Sequence, residues 1–172
     1  MFGLGNFSYA LFLLRAKSLG VAVALIPIIY LLYNIFYAGF SLPVGKLSDK
    51  IGRKKILLAG YLLFAVVTFG LAYATKLYLV WILFAAYGLF QAITDGTSRA
   101  FVSDLVPEER RATAIGVYHT FAGLAALPAS IIAGELWDHV SVQAAFLYGT
   151  ALAVIAAIFL IFLVKENIKK KR

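Results

Sequence analysis

Residues 56–75 read ILLAGYLLFAVVTFGLAYAT, a run of 20 residues without a charged side chain. A hydrocarbon core of roughly 30 Å requires about 20 helical residues, so this run is long enough to cross a bilayer. The whole chain has the same character, because 63% of its 172 residues are hydrophobic, 14% are charged and the mean hydropathy is +0.91. Soluble domains have far more charge and less apolar content. The composition therefore predicts an integral membrane protein.

Charged residues divide the chain into six apolar blocks. Five blocks are long enough to span a bilayer, whereas the first, residues 2–14, reaches only about 20 Å as a helix. Long apolar blocks joined by short polar segments predict an all-α, polytopic membrane helical bundle, because barrel strands are far shorter. We expect five full transmembrane helices and a partial first helix in a single domain, residues 1–172. The remaining blocks are residues 19–44, 56–75, 77–105, 112–134 and 142–164.

Basic residues are concentrated in alternate polar segments. The chain has 16 Lys and Arg against 8 Asp and Glu, a net charge of +8. Twelve of the 16 lie in segments 45–55, 104–111 and 165–172. Cytoplasmic loops carry such an excess, so we expect these segments, and with them the carboxyl terminus, on the cytoplasmic side of the cell membrane. The positive charge is then explained by topology and contact with the lipid bilayer, and we expect no nucleic-acid partner.

Segment 45–55 reads GKLSDKIGRKK and lies between the second and third blocks. It resembles the cytoplasmic signature loop of the major facilitator superfamily (MFS), in which a glycine, an aspartate four residues later, Gly-Arg and a further basic residue join two helices. Glycines allow a tight turn, and an aspartate suits a helix N-terminus, where the dipole favours an anion. The alternative is a basic turn that only sets topology. The matching residues are Gly45, Asp49, Gly52, Arg53 and Lys54.

Segment 104–111 reads DLVPEERR and supports the same resemblance. Its acid and arginine, Asp104 and Arg111, are separated by six residues, as in the element that the superfamily places between the fourth and fifth helices of each half. The resemblance implies a cytoplasmic gating network of Asp49, Arg53, Asp104 and Arg111 that ties three helices together in the outward-open transporter. The alternative is a solvated loop.

The resemblance covers nearly the whole chain and implies one six-helix half of an MFS permease. The lysine-rich end, residues 165–172, favours the carboxyl-terminal half, with the first helix truncated at its amino terminus. The implied function is secondary transport of a small-molecule substrate by alternating access between two halves. Its partner would be an amino-terminal six-helix half or another copy of this chain. The alternative is a non-transporting membrane fragment or a helix-binding structural or regulatory partner.

The fourth block carries polar residues at a helical spacing. Gln91, Asp95 and Arg99 follow each other at intervals of four, so they lie on one helix face and Asp95 can pair with Arg99. Ionisable residues inside a membrane are costly and indicate function. We predict a gating role for the charged pair, with substrate or proton coupling and a simple buried pair as alternatives. Gln91 lies nearer the midplane and is predicted to face the substrate cavity.

The second block carries a stripe of polar and aromatic residues, Tyr30, Tyr33, Asn34, Tyr37 and Ser41. They share one helix face, and Tyr30 and Asn34 lie near the membrane midplane, where transporters of this kind bind substrate. The stripe is therefore predicted to line the substrate cavity. Aromatic packing between helices is the alternative.

The fifth block combines small residues with a histidine. The residues Gly116, Thr120, Gly123, Ser130 and Gly134 form a ridge of the kind by which membrane helices approach closely, so we expect helix packing there. His119 flanks this ridge and is a further candidate for the substrate cavity or for proton transfer, because histidine titrates near neutral pH. A hydrogen-bonded structural histidine is the alternative.

The sequence contains no pattern that indicates catalysis. It has no cysteine, no Ser/His/Asp set at one membrane depth and no cluster suited to a metal ion. We therefore predict that the protein is not an enzyme and holds no metal or cofactor, and that a proton gradient is a candidate energy source.

Overall fold

The computed structural model describes residues 2–163. Within that range the chain forms α-helices joined by short connections, and no β-strand. Single 3-10 turns, Val23–Leu25 and Glu108–Arg110, precede two of the helices. The helices are α1 (Phe2–Gly5), α2 (Tyr9–Ser18), α3 (Ile26–Ile51), α4 (Arg53–Tyr73), α5 (Leu77–Asp104), α6 (Arg111–His139) and α7 (Val142–Leu163). The basic tail predicted at residues 165–172 lies outside the described residues.

Five helices, α3 to α7, are long and apolar enough to cross a membrane. This confirms the predicted all-α membrane bundle with five full spans. Each span follows one of the apolar blocks, but α3 and α6 continue past the ends of theirs. Helix α3 extends to Ile51 and α6 extends to His139, because an exposed end of a membrane helix tolerates charge.

The predicted partial first helix is divided into α1 and α2. Ser8 begins α2 as its N-cap, and its Oγ accepts a hydrogen bond from the backbone N–H of Ala10 at 3.2 Å. The Ser8 N–H donates to Ser130 Oγ at 3.0 Å, and the adjacent Phe7 side chain is only 2% exposed. The single first helix is therefore corrected to two short helices, because the backbone groups freed between them find other partners.

The connection in segment 45–55 is shorter than the sequence predicts. Helix α3 continues to Ile51 and α4 begins at Arg53, so Gly52 alone joins them. Its φ of 103° lies in a region that only glycine adopts readily. Asp49 consequently lies in the last turn of α3 and not at a helix N-terminus, which corrects that expectation. By contrast, Asp104 ends α5 and Arg111 begins α6, so segment 104–111 does connect two helices.

A cluster of aromatic rings fills the core between α2, α4, α5 and α7. Phe12 stacks on Tyr87 with ring centroids 4.4 Å apart, and Phe64 packs against Phe90 at 4.8 Å. Aromatic pairs in such geometries contribute about 1 kcal/mol each beyond the area they bury. The largest fully buried side chains are Phe12, Phe64, Phe84, Phe90 and Phe146.

The helices differ sharply in how much of their surface the chain covers. Buried residues make up 50% of the most apolar window of α4 and 39% of those of α5 and α7, but only 6% of those of α3 and α6. On α6, a side chain at Gly116, Gly123 or Gly134 would meet nothing within 4 Å. These three glycines of the small-residue ridge therefore make no close helix contact among the described residues, whereas Ser130 of the same ridge contacts Ser8.

The two ends of the described chain contact each other. The Tyr148 hydroxyl of α7 donates a hydrogen bond to the backbone oxygen of Leu4 at 2.7 Å. Gly149 lies so close to α1 that a Cβ there would be 3.2 Å from the Gly5 backbone oxygen. Helix α1 is thus held between α7 and α6.

Candidate functional site

One end of the bundle holds an ionic cluster that we call the Arg53 cluster, formed by Asp49, Arg53 and Asp104. The guanidinium of Arg53 lies 3.2 Å from Asp49 Oδ1, and its Nε also pairs with Asp104 Oδ2. Because the three residues stand at the end of α3, the start of α4 and the end of α5, one side chain joins three helix ends.

The structure does not bring every residue of the implied network into this cluster. Arg111 instead pairs with Glu108, with 3.7 Å between the guanidinium and the carboxylate. Lys54 donates from Nζ to the backbone oxygen of Ile161 at 2.9 Å and so ties α4 to the end of α7. A Cβ at Gly45 would meet nothing within 4 Å among the described residues. Close contact with a neighbouring helix is therefore not the reason that a glycine occupies this position. The gating role stays a prediction.

The middle of α5 holds a second group, the Asp95 triad, formed by Tyr37, Asp95 and Arg99. Arg99 pairs with Asp95 Oδ2 at 2.6 Å, as the i, i+4 spacing predicts. The Tyr37 hydroxyl donates to the same oxygen at 2.7 Å, which connects α3 to α5. The predicted polar stripe of α3 thus supplies one member of the triad.

A cavity of about 400 Å³, which we call the α5–α6 cavity, opens between α1, α4, α5 and α6. Its volume falls in the range of small-molecule sites, roughly 300–1,000 Å³. Gln91, Asp95 and His119, all singled out from the sequence, line it together. Its walls are Phe2, Gly3, Asn6, Tyr61, Gln91, Thr94, Asp95, Ser98, Tyr118, His119, Phe121, Ala122, Ala125 and Ala126.

One polar group in this cavity is left without a partner. The side-chain oxygen of Asn6 is buried and accepts no hydrogen bond from the described residues. An unsatisfied buried acceptor costs roughly 1–3 kcal/mol, so such groups are few in native proteins. Asn6, Tyr61 and Tyr118 were not predicted from the sequence. Asn6 could have been noticed, because it is a lone asparagine in an apolar block. Tyr61 and Tyr118 look in the sequence like ordinary interfacial or packing residues.

The other predicted cavity residues lie outside this cavity. Tyr33 stacks on Tyr87 at 5.4 Å and on Tyr30 at 5.9 Å, and Tyr30 and Tyr33 both contact Tyr9. The Asn34 amide donates to the backbone oxygen of Tyr30 at 2.7 Å. None of these side chains lines the α5–α6 cavity. This arrangement resembles the alternative interpretation of the stripe, in which its aromatic rings pack between helices and do not bind a ligand.

A buried cation on α2 caps the end of α4. Arg15 is 8% exposed, and its guanidinium donates to the backbone oxygens of Leu71, Ala72 and Ala74 at 2.9, 3.3 and 3.0 Å. The last carbonyls of a helix have no partner within the helix and carry partial negative charge. Arg15 satisfies them, a role that no pattern in the sequence indicated.

Among the described residues, no group of three His, Asp or Glu side chains could hold a metal ion.

Comparison with known proteins gives a consistent result. The family model described as Major Facilitator Superfamily matches residues 1–172. An uncharacterized MFS-type transporter of Methanocaldococcus jannaschii is 47% identical over 169 residues, which cover 95% of this chain and 42% of that protein. Multidrug resistance protein MdtG of Proteus mirabilis is 32% identical over 72% of this chain and 30% of its own length. The multi-drug resistance efflux pump PmrA of Streptococcus pneumoniae is 27% identical over 77% of this chain and 36% of its own length.

The chain spans less than half the length of these relatives. The family match extends over every helix, and the five apolar helices are those of a multi-pass membrane protein. The chain therefore belongs to the Major Facilitator Superfamily, a family of membrane transporters.

Proposed function

We propose that this chain is one six-helix unit of a secondary transporter that carries a small molecule by alternating access. The α5–α6 cavity is the observation that supports this function most directly. It collects the polar side chains of Asn6, Gln91, Asp95 and His119 at one place in an otherwise apolar bundle. Polar and ionisable groups are costly inside a membrane and indicate function, and here they line a space in which a transported solute could bind. Transport, not catalysis, is the function that this arrangement and the family support.

The second unit is proposed to cover α3 and α6. Few residues of either helix are fully buried, although each helix carries polar or small residues that lipid does not require. Alternating access needs a second bundle against which the first can move. We propose an amino-terminal six-helix unit, or alternatively another copy of this chain, as that bundle. The Arg53 cluster would face the cytoplasm, because the basic segments lie at that end of the helices.

The Arg53 cluster is proposed to act as a latch during this cycle. It holds the ends of α3, α4 and α5 together through a single guanidinium. Asp49 and Asp104 are 63% and 52% exposed, so the latch is accessible to water and its ion pairs can open at little cost. Asp95 and His119 are the proposed groups for coupling to a proton gradient, since both line the cavity.

Transport can be tested with the intact open reading frame that contains these residues, expressed in cells that lack related permeases. Uptake and efflux of labelled glucose, alanine, citrate and phenylalkylamines are measured at two external pH values. We expect a changed flux for at least one solute, and loss of that flux in Asp49→Asn with the protein still in the membrane. An unchanged flux for every solute would refute transport and favour the non-transporting, helix-binding alternative.

A further inference from the structure

A cleft of about 340 Å³, which we call the α2–α6 cleft, lies where the end of α2 meets the end of α6. It shares no lining residue with the α5–α6 cavity. Helix α2 ends beside the last turn of α4, because Arg15 caps that turn, and α4 begins at the Arg53 cluster. The cleft therefore lies at the end of the bundle opposite that cluster. Its walls are Leu14, Lys17, Ser18 and Trp137.

The basic residues at this end of α2 carry charge that no acid of the described chain neutralises. Arg15 is buried, and its guanidinium donates only to backbone oxygens and to a serine hydroxyl. The Lys17 ammonium is exposed and forms no ion pair or hydrogen bond with residues 2–163. At the end of α6, Glu135 pairs with His139 at 3.2 Å, and neither Glu135 nor Asp138 lines the cleft. The cleft therefore presents net positive charge.

The rest of the cleft is apolar and suits a hydrocarbon chain. Leu14 is 44% exposed there. The Trp137 ring packs against Phe146 with centroids 6.0 Å apart, and its indole N–H has no hydrogen-bond partner in the part of the chain that the structure describes. Tryptophan is enriched at membrane–water interfaces, where its ring contacts apolar groups and its N–H contacts polar ones. A ligand that fits this cleft carries an anionic group next to a hydrocarbon chain.

We propose that the α2–α6 cleft binds an anionic phospholipid, with its phosphate at the Lys17 ammonium and the Trp137 N–H and an acyl chain against Leu14. Hydrogen bonds between an ammonium and a phosphate are stronger than those between neutral groups, so the phosphate sets the affinity. A zwitterionic headgroup gains less, because no acid of the described chain lines the cleft to hold its own ammonium group. The lipid belongs to the leaflet opposite the Arg53 cluster.

Tryptophan fluorescence can locate this lipid, because the chain has 2 tryptophans and one of them lines the cleft. The full chain with Trp81→Phe, which leaves Trp137 as its emitter, is reconstituted in phosphatidylcholine. Increasing fractions of phosphatidylglycerol or phosphatidylcholine with a brominated acyl chain are then added, since bromine quenches nearby rings. We expect brominated phosphatidylglycerol to quench at an about fivefold lower fraction than brominated phosphatidylcholine. Equal quenching by the two lipids, or none by either, would overturn the proposal.

Two substitutions of lysines distinguish a site from general attraction to a charged surface. Lys17→Gln removes the charge that lines the cleft, so we expect the two brominated lipids to quench equally. Lys76→Gln removes the same charge outside the cleft, at an exposed lysine just before α5 and at the same end of the bundle. This control should keep the preference for phosphatidylglycerol. Loss of the preference in both variants, or in neither, would contradict the proposal.

Inorganic phosphate distinguishes a bound lipid from a free anion. It has no chain to cover Leu14, so millimolar phosphate should relieve the quenching no more than sodium chloride of the same ionic strength does. Relief specific to phosphate would assign the cleft to a free anion and overturn the proposal. The site lies outside the α5–α6 cavity, so failure of these experiments would leave the proposed transport function standing.

Discussion

Gly88 fixes the distance between α3 and α5, and its replacement is a direct test of how the bundle is packed. A Cβ at this position would overlap the backbone oxygen of Tyr33 and lie 3.0 Å from Phe36 Cβ. Ordinary contacts begin at 3.4 Å, so the Tyr33 carbonyl must retreat by about 1 Å. Because that carbonyl belongs to the α3 backbone, the helix has to move with it. Overpacking of this kind costs about 1–3 kcal/mol.

The matched control is Gly123→Ala, since a Cβ at Gly123 would meet nothing within 4 Å. Both substitutions gain about 1 kcal/mol from helix propensity, and only Gly88→Ala incurs the packing cost. We expect the free energy of unfolding of Gly88→Ala to be lower than that of Gly123→Ala by about 1–3 kcal/mol. Tryptophan fluorescence during titration with sodium dodecyl sulfate measures both. A Gly88→Ala protein as stable as the control would refute the packing argument.

Three further substitutions address the polar contacts. Arg15→Met should lower the free energy of unfolding by about 2 kcal/mol, because it removes the cap of α4, whereas the exposed Lys17→Met should change it little; the same titration compares them. Tyr37→Phe removes only the hydrogen bond to Asp95 and should cost about 1 kcal/mol, which a double-mutant cycle with Asp95→Asn isolates. Arg53→Ala should slow transport in the intact protein while the amount in the membrane, measured by blotting, stays the same; normal turnover would contradict the latch.

Hydropathy was sufficient to predict the membrane class and all five spans. Each apolar run is long enough to cross the bilayer as a helix, in which the backbone N–H and C=O groups form hydrogen bonds with each other. It could not predict the division of the first helix. That break depends on Ser130, which lies 122 residues along the chain from Ser8 and accepts the freed N–H. Contacts between residues so distant in sequence leave no local pattern.

The candidate site was predictable only where one helix carries it. Gln91 and Asp95 were found because their spacing places them on one face of α5. Asn6 and Tyr61 were not, because they join the cavity only when α1 and α4 pack against that face. For the stripe of tyrosines and asparagine on α3 the sequence left two interpretations open, since a polar helix face indicates that lipid is avoided but does not distinguish a ligand-binding wall from a stack of rings.

The contact between α1 and α7 has a consequence for biosynthesis. Leu4 leaves the ribosome 144 residues before Tyr148, whose hydroxyl donates to the Leu4 oxygen. At a translation rate of roughly 5–20 residues per second, about 7–30 s pass between the synthesis of α1 and the synthesis of the part of α7 that it contacts. During that interval the polar break at residues 6–8 is exposed to lipid or held by the insertion machinery. Helix α1 therefore gains its contact with α7 only after the intervening helices have been synthesised.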